Sequence, residues 1–82
     1  MLNSIILEGK IIETKPGLLK MKYTKEYTNG AVEDLIITCL VPNERFTIPS
    51  INNIVRVVGR LVRFNNIICI YAEHIEVSGR QN

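Results

Sequence analysis

Glu73, His74 and Glu76 close the most hydrophobic run of the chain, IICIYAEHIEV. A carboxylate beside an imidazole is raw material for general acid–base work, for activating a nucleophile, or for holding a metal. Each of these needs a further group. His74 is the only histidine. Cys69, five residues earlier, falls on the opposite face of a strand. Ser78, four residues later, sits at the end of the pattern. His74 and Glu76 share a strand face, but two ligands fall short of the three or four that zinc requires. No glycine-rich phosphate loop accompanies them, because Gly17 and Gly30 stand alone. The residues predict no enzyme, no metal site and no cofactor.

The elements that carry these side chains read as strands throughout. Residues 4–14 (SIILEGKIIET) are β-branched and apolar, with Gly9 where a bend or bulge belongs. Lys15-Pro16-Gly17 is a turn. Residues 18–27 alternate, with Leu19, Met21, Tyr23 and Lys25 facing one way and Lys20, Lys22 and Thr24 the other. Thr28-Asn29-Gly30 marks a hairpin, since Asn and Gly tolerate positive φ. Residues 34–41 make a third strand stopped by Pro42, and residues 42–53, with two prolines, read as a loop in which Phe46 caps the barrel bottom. Residues 54–63 are a fourth strand bent at Gly59. Asn65-Asn66 turns the chain into a fifth, residues 67–77, followed by a frayed tail. The sequence therefore predicts one all-β domain, residues 1–78, with residues 79–82 as the tail: a five-stranded Greek-key barrel of the OB type with little or no helix. Closure protects strand edges that would otherwise aggregate. The long first strand with its central glycine favours this over an SH3-like barrel.

The chain has 82 residues and is 46% hydrophobic, enough for one small core. Cys39 and Cys69, each inside an apolar run, read as buried thiols in a reducing compartment rather than as a disulfide. No stretch is long and apolar enough for a membrane helix, and the N-terminus lacks a signal-peptide pattern, so a cytoplasmic location is expected. Net charge is only +2, but its distribution is uneven. Lys15, Lys20, Lys22 and Lys25 crowd one stretch and Arg56, Arg60 and Arg63 another, with most carboxylates elsewhere in the sequence. Such patches suit a polyanion, and equally suit ordinary solvated strand faces.

Three segments resemble a known family. MLNSIILEGKI is similar to the first strand of bacterial single-stranded DNA-binding proteins, VRVVGRL to their fourth, and IICIYAEHIEV to the closing strand of that family and of its sister, the primosomal replication protein B group. The resemblance implies an OB fold that binds single-stranded DNA as a homo-oligomer, with Glu73, His74 and Glu76 at a structural strand end. The short segment 42–53 leaves little room for the helix of the larger family, which is closer to the primosomal group. The hairpin at Phe64-Asn65-Asn66 is cut to a stub, and no partners of an acidic C-terminal tail are expected. Of the family's stacking aromatics, one position matches Tyr27 and one loosely matches Phe64, while two others fall on about Asp34 and Leu40.

These readings combine into an expected site: Lys15, Lys20, Lys22, Lys25, Arg56, Arg60 and Arg63 neutralising phosphates, and Tyr27 and Phe64 stacking on bases. Tyr23 reads as core, and the turns at Lys15 and Phe64 are expected at one mouth of the barrel. The expected function is sequence-independent binding of single-stranded DNA, with RNA as an alternative ligand, in replication or repair. Strand one carries Ile5, Ile6, Leu7, Ile11 and Ile12, more aliphatics than one face buries. With the family resemblance, in which this strand pairs with its counterpart across a two-fold axis, this implies a homodimer or homotetramer through that strand. The rivals are a primosome-type accessory that also contacts replication proteins, and an OB-shaped interaction module that binds no nucleic acid.

Overall fold

The computed structural model describes residues 3–41 and 47–80, the last by its backbone alone. Five strands follow one another: β1 (Ile5–Lys15), β2 (Leu18–Glu26), β3 (Val32–Leu40), β4 (Asn53–Phe64) and β5 (Ile67–Arg80). They close in the order β1-β2-β3-β5-β4, with β4 returning to β1. All neighbours are antiparallel except β3 and β5, which run parallel through Cys39↔Ile70 and Leu40↔Tyr71. This is the expected all-β, OB-type barrel, and no helix occurs among the described residues.

β1 holds the barrel shut by serving both halves. Its first part, Ile5–Lys10, pairs with β4 and its second, Lys10–Lys15, with β2. The changeover falls at Lys10, next to Gly9, where the sequence places a bend. A Cβ on Gly9 would lie 2.6 Å from the Lys22 carbonyl oxygen, so only glycine lets the strands approach. Gly59 is equally constrained, because a Cβ would collide with the backbone of Tyr71 across the β4–β5 ladder. The barrel interior is filled by Ile11, Leu19, Met21, Cys39, Val41, Val55, Val57, Ile70 and Ala72, with Ile5, Leu7, Ile37, Ile48 and Ile75 packed around them. Inward positions alternate along each strand, as the pleat requires.

Three bulges re-aim side chains. Ile12 is the extra residue of β1 against β2, and Glu73 and Ser78 are the extra residues of β5 against β4. The bulge at Glu73 answers a periodicity that alternation alone would not allow. Ala72 and Ile75 both pack into or against the core although they are three residues apart. The inserted residue absorbs the odd step and leaves both Glu73 and His74 in solvent.

Both cysteines are buried and free. The Cys39 Sγ lies 3.7 Å from the Met21 Sδ in the core. β5 runs three residues beyond its expected end: Gly79 pairs with Ile54 and Arg80 with Asn53. Tyr23, expected in the core, is only half-buried opposite Leu35, because β1 no longer covers β2 beyond Lys22. Phe46 lies outside the described residues. From the segment that follows it, Ile48 packs against the core, and the Asn52 N–H donates to the Ile11 carbonyl at 2.9 Å.

Candidate nucleic-acid interface

The expected site residues fall into three groups rather than one patch. The first lies on the outer face of the β1–β2 pair. β2 buries Leu19 and Met21, so Lys20 and Lys22 face outward. Glu13 of β1, paired with Lys20, stands 3.9 Å from its ammonium and 3.5 Å from that of Lys15.

The second group is the outer row of β4. Arg56 sits between Glu8 of β1 at 3.4 Å and Glu76 of β5 at 3.5 Å, and Arg60 lies 3.5 Å from Glu73. The sequence keeps these acids far from the arginines; the strand register brings them alongside. Separation of basic and acidic patches is therefore a property of the sequence and not of the surface, because Glu8↔Arg56 and Arg56↔Glu76 are direct cross-strand partners. Such exposed pairs contribute only about 0–1 kcal/mol each, but they leave Arg56 and Arg60 partly neutralised. The cluster of Glu73, His74 and Glu76 is thus electrostatic in effect. Its two carboxylates answer β4 arginines, and the His74 Nε2 lies 3.8 Å from Glu76. Among the described residues no cluster of three metal-ligating side chains occurs.

The third group caps two projecting ribbons. Among the described residues, β2 beyond Lys22 pairs only with β3, and β4 beyond Gly59 pairs only with β5. The β4–β5 hairpin turns through two residues, Asn65 and Asn66, both at positive φ, as a tight hairpin requires. The turn is as short as expected, yet the ribbon below it is no stub. Because β3 and β5 are parallel, both ribbon tips point the same way. The β1–β2 turn lies at the other end of β3, where the Val41 N–H donates to the Gly17 carbonyl at 2.8 Å. The expectation that the Lys15 and Phe64 turns share a mouth is thereby corrected.

Each ribbon tip carries an exposed aromatic and a basic residue close to it in the chain. At the β2–β3 tip the Lys25 ammonium lies 5.4 Å from the centre of the Tyr27 ring. The Tyr27 hydroxyl donates to Glu33 Oε2 at 2.7 Å, and this bond, with a lesser contribution from desolvation, raises its pKa. At the β4–β5 tip Phe64 is about half exposed, at 49%. Arg63, its neighbour, projects from the other ribbon face and meets no carboxylate among the described residues. The ribbon is otherwise apolar, with Leu61, Ile67 and Ile68 exposed.

Two residues outside the expected site share these surfaces. Lys10 is the direct cross-strand partner of Lys22, and Tyr71 lies under the Arg60 guanidinium, 5.8 Å from ring centre to cation. Lys10 is isolated between Gly9 and Ile11 in the sequence, so no charge run signals it. The alternation around buried Ile70 and Ala72 does place Tyr71 on the outer face.

No protein-family model matches this chain, and comparison with curated proteins finds no relative. Among solved structures, the dimeric N-terminal domain of the PriB protein from Thermoanaerobacter tencongensis is similar in fold. It is 19% identical, with a TM-score of 0.57 over 92% of this chain and 94% of that one. At that identity the likeness establishes the fold, a five-stranded OB barrel.

Proposed function

We propose that this protein binds single-stranded DNA without sequence preference, as a homo-oligomeric OB barrel of the primosomal kind acting in replication or repair in the cytoplasm. The observation that carries the reading is the pair of parallel-pointing ribbons, each with an exposed aromatic and a basic residue near its tip: Tyr27 with Lys25 against its ring on one, and Phe64 with Arg63 on the opposite ribbon face on the other. Bases stack on such faces for about 1–3 kcal/mol each, whatever their identity, while basic side chains follow the backbone. Lys15, Lys20 and Lys22 supply that charge on the barrel wall, Lys15 and Lys20 sharing the single carboxylate of Glu13. Arg56 and Arg60 contribute less, being held by acids. There is no chemical step. The mechanism is phosphate neutralisation with stacking.

A homodimer through β1 supports the same reading. Ile6 is 66% exposed, and among the described residues the Ile5–Gly9 edge of β1 that faces away from β4 has no strand partner. The neighbour of similar fold is itself described as dimeric. Two barrels on one strand raise the effective concentration of weak individual sites.

A second reading has its own observation. The exposed Leu61, Phe64, Ile67 and Ile68 make the β4–β5 ribbon more apolar than a phosphate-tracking arm needs, which favours a protein-interaction module without nucleic-acid binding. Tyr27→Ala and Phe64→Ala separate the two. On the first reading each weakens binding of a labelled oligo(dT), measured by fluorescence anisotropy, by roughly 5- to 150-fold with thermal stability unchanged. Loss of oligomer with no oligonucleotide binding in the parent protein favours the second.

A further inference from the structure

We infer that Lys10 and Lys22 form a phosphate-binding subsite in the fork where β1 leaves β2 to join β4. This rests on the nucleic-acid reading and gives it a specific contact on the barrel wall, away from the ribbon tips. The two lysines are direct partners in the β1–β2 ladder. Residues opposed in this way have Cβ atoms about 4.5–5.5 Å apart, and like charges there are destabilising. Both are half-buried, and neither forms an ion pair among the described residues.

They also line an open cleft of about 300 Å³, together with Glu8, Gly9, Thr24 and Ile54. The other polar groups of the cleft are already engaged. Glu8 accepts from Arg56 at 3.4 Å, and the Thr24 hydroxyl donates to Asp34 Oδ1 at 2.8 Å. The side-chain donors left uncommitted among the residues lining the cleft are the two ammoniums. A phosphate seated between them turns a repulsive pair into two charge-assisted hydrogen bonds. Gly9 lines the cleft and, lacking a side chain, lets β1 lie against the Lys22 carbonyl at the fork.

The test compares Lys10→Gln, Lys22→Gln and Lys10→Arg with the parent protein in two assays. In the first, oligo(dT) binding is followed across a salt series. Each glutamine variant should lower the magnitude of the log–log salt slope by about 0.7, the value of one phosphate contact on a single strand. Lys10→Arg should retain it. Parent-like slopes in both glutamine variants would overturn the subsite while leaving the nucleic-acid reading standing. In the second assay, thermal unfolding is measured with tripolyphosphate against sodium chloride at equal ionic strength. A tripolyphosphate-specific rise in Tm, present in the parent and lost in Lys10→Gln, upholds the subsite even if oligo(dT) does not bind. Absence of any such rise, with no oligo(dT) binding, overturns both. The glutamine variants should fold, because each removes one of two opposed like charges and leaves the ladder intact.

Discussion

Single residues in this chain are governed by what the strand register sets opposite them. Glu73, His74 and Glu76 look like reactive groups in one dimension; in three, Glu73 partners Arg60, Glu76 partners Arg56, and His74 lies against Glu76. Cys39 shows the reverse case, a group silenced by its surroundings. Burial, and to a lesser degree the neighbouring Cys69, pushes its thiol up from 9.0 to about 12. Because the folded value lies above the unfolded one, the associated stability is fully present below pH 9.0 and is lost as pH rises towards about 12. The urea-unfolding free energy of the parent should therefore fall more steeply across that window than that of Cys39→Ala. Equal slopes would contradict the assignment. Only the thiolate reacts with alkylating agents, so Cys39 should also resist iodoacetamide at pH 8 until denaturant opens the barrel.

At the scale of elements, the five strands are legible because alternation, glycine and Asn-rich turns agree with one another. The first strand's double duty is legible too, from Gly9 within an otherwise continuous aliphatic run. Other features are not, for identifiable reasons. A bulge adds a residue without changing composition, so the shift that turns both Glu73 and His74 outward leaves no mark in the residue types. The acids that quiet Arg56 and Arg60 arrive through register, which links residues 48 apart in the case of Glu8 and Arg56. The lysine of greatest interest, Lys10, is invisible for the same reason. The projection of both ribbons depends on where β1 stops covering its neighbours, a property of closure and not of either hairpin. The β4–β5 ladder nevertheless makes a direct prediction. Gly59→Ala places a methyl against the Tyr71 backbone, which cannot yield as a flexible side chain would. Overpacking of this kind costs about 1–3 kcal/mol, and each kcal/mol lowers Tm by roughly 4–8 °C in a domain of this size. A neutral effect in differential scanning calorimetry would show that the two strands are less closely paired than described.

For the whole molecule, the issue is how so small a barrel manages its unsatisfied surface. The interior is well filled, yet Ile6, Ile36, Ile67 and Ile68 remain more than half exposed, and among the described residues two ribbons present unpaired edges. Natural sheets rarely leave such edges uncovered. If β1 is the contact between two copies, Ile6→Glu should convert the assembly to monomers in sedimentation velocity. Its thermal stability measured at low protein concentration should change little, since an exposed side chain contributes within about 0.5 kcal/mol to the isolated barrel. A variant that keeps the parent sedimentation coefficient would move the contact to the β4–β5 ribbon, the other large apolar surface.

The most direct test of the central claim is fluorescence anisotropy of labelled oligo(dT), with duplex DNA as the competitor, at low and high salt. A phosphate-tracking surface with stacking aromatics predicts preference for the single strand and an affinity that falls steeply and log-linearly as salt rises. Flat titrations at low salt and high protein concentration would contradict it and leave the barrel as a protein-interaction module.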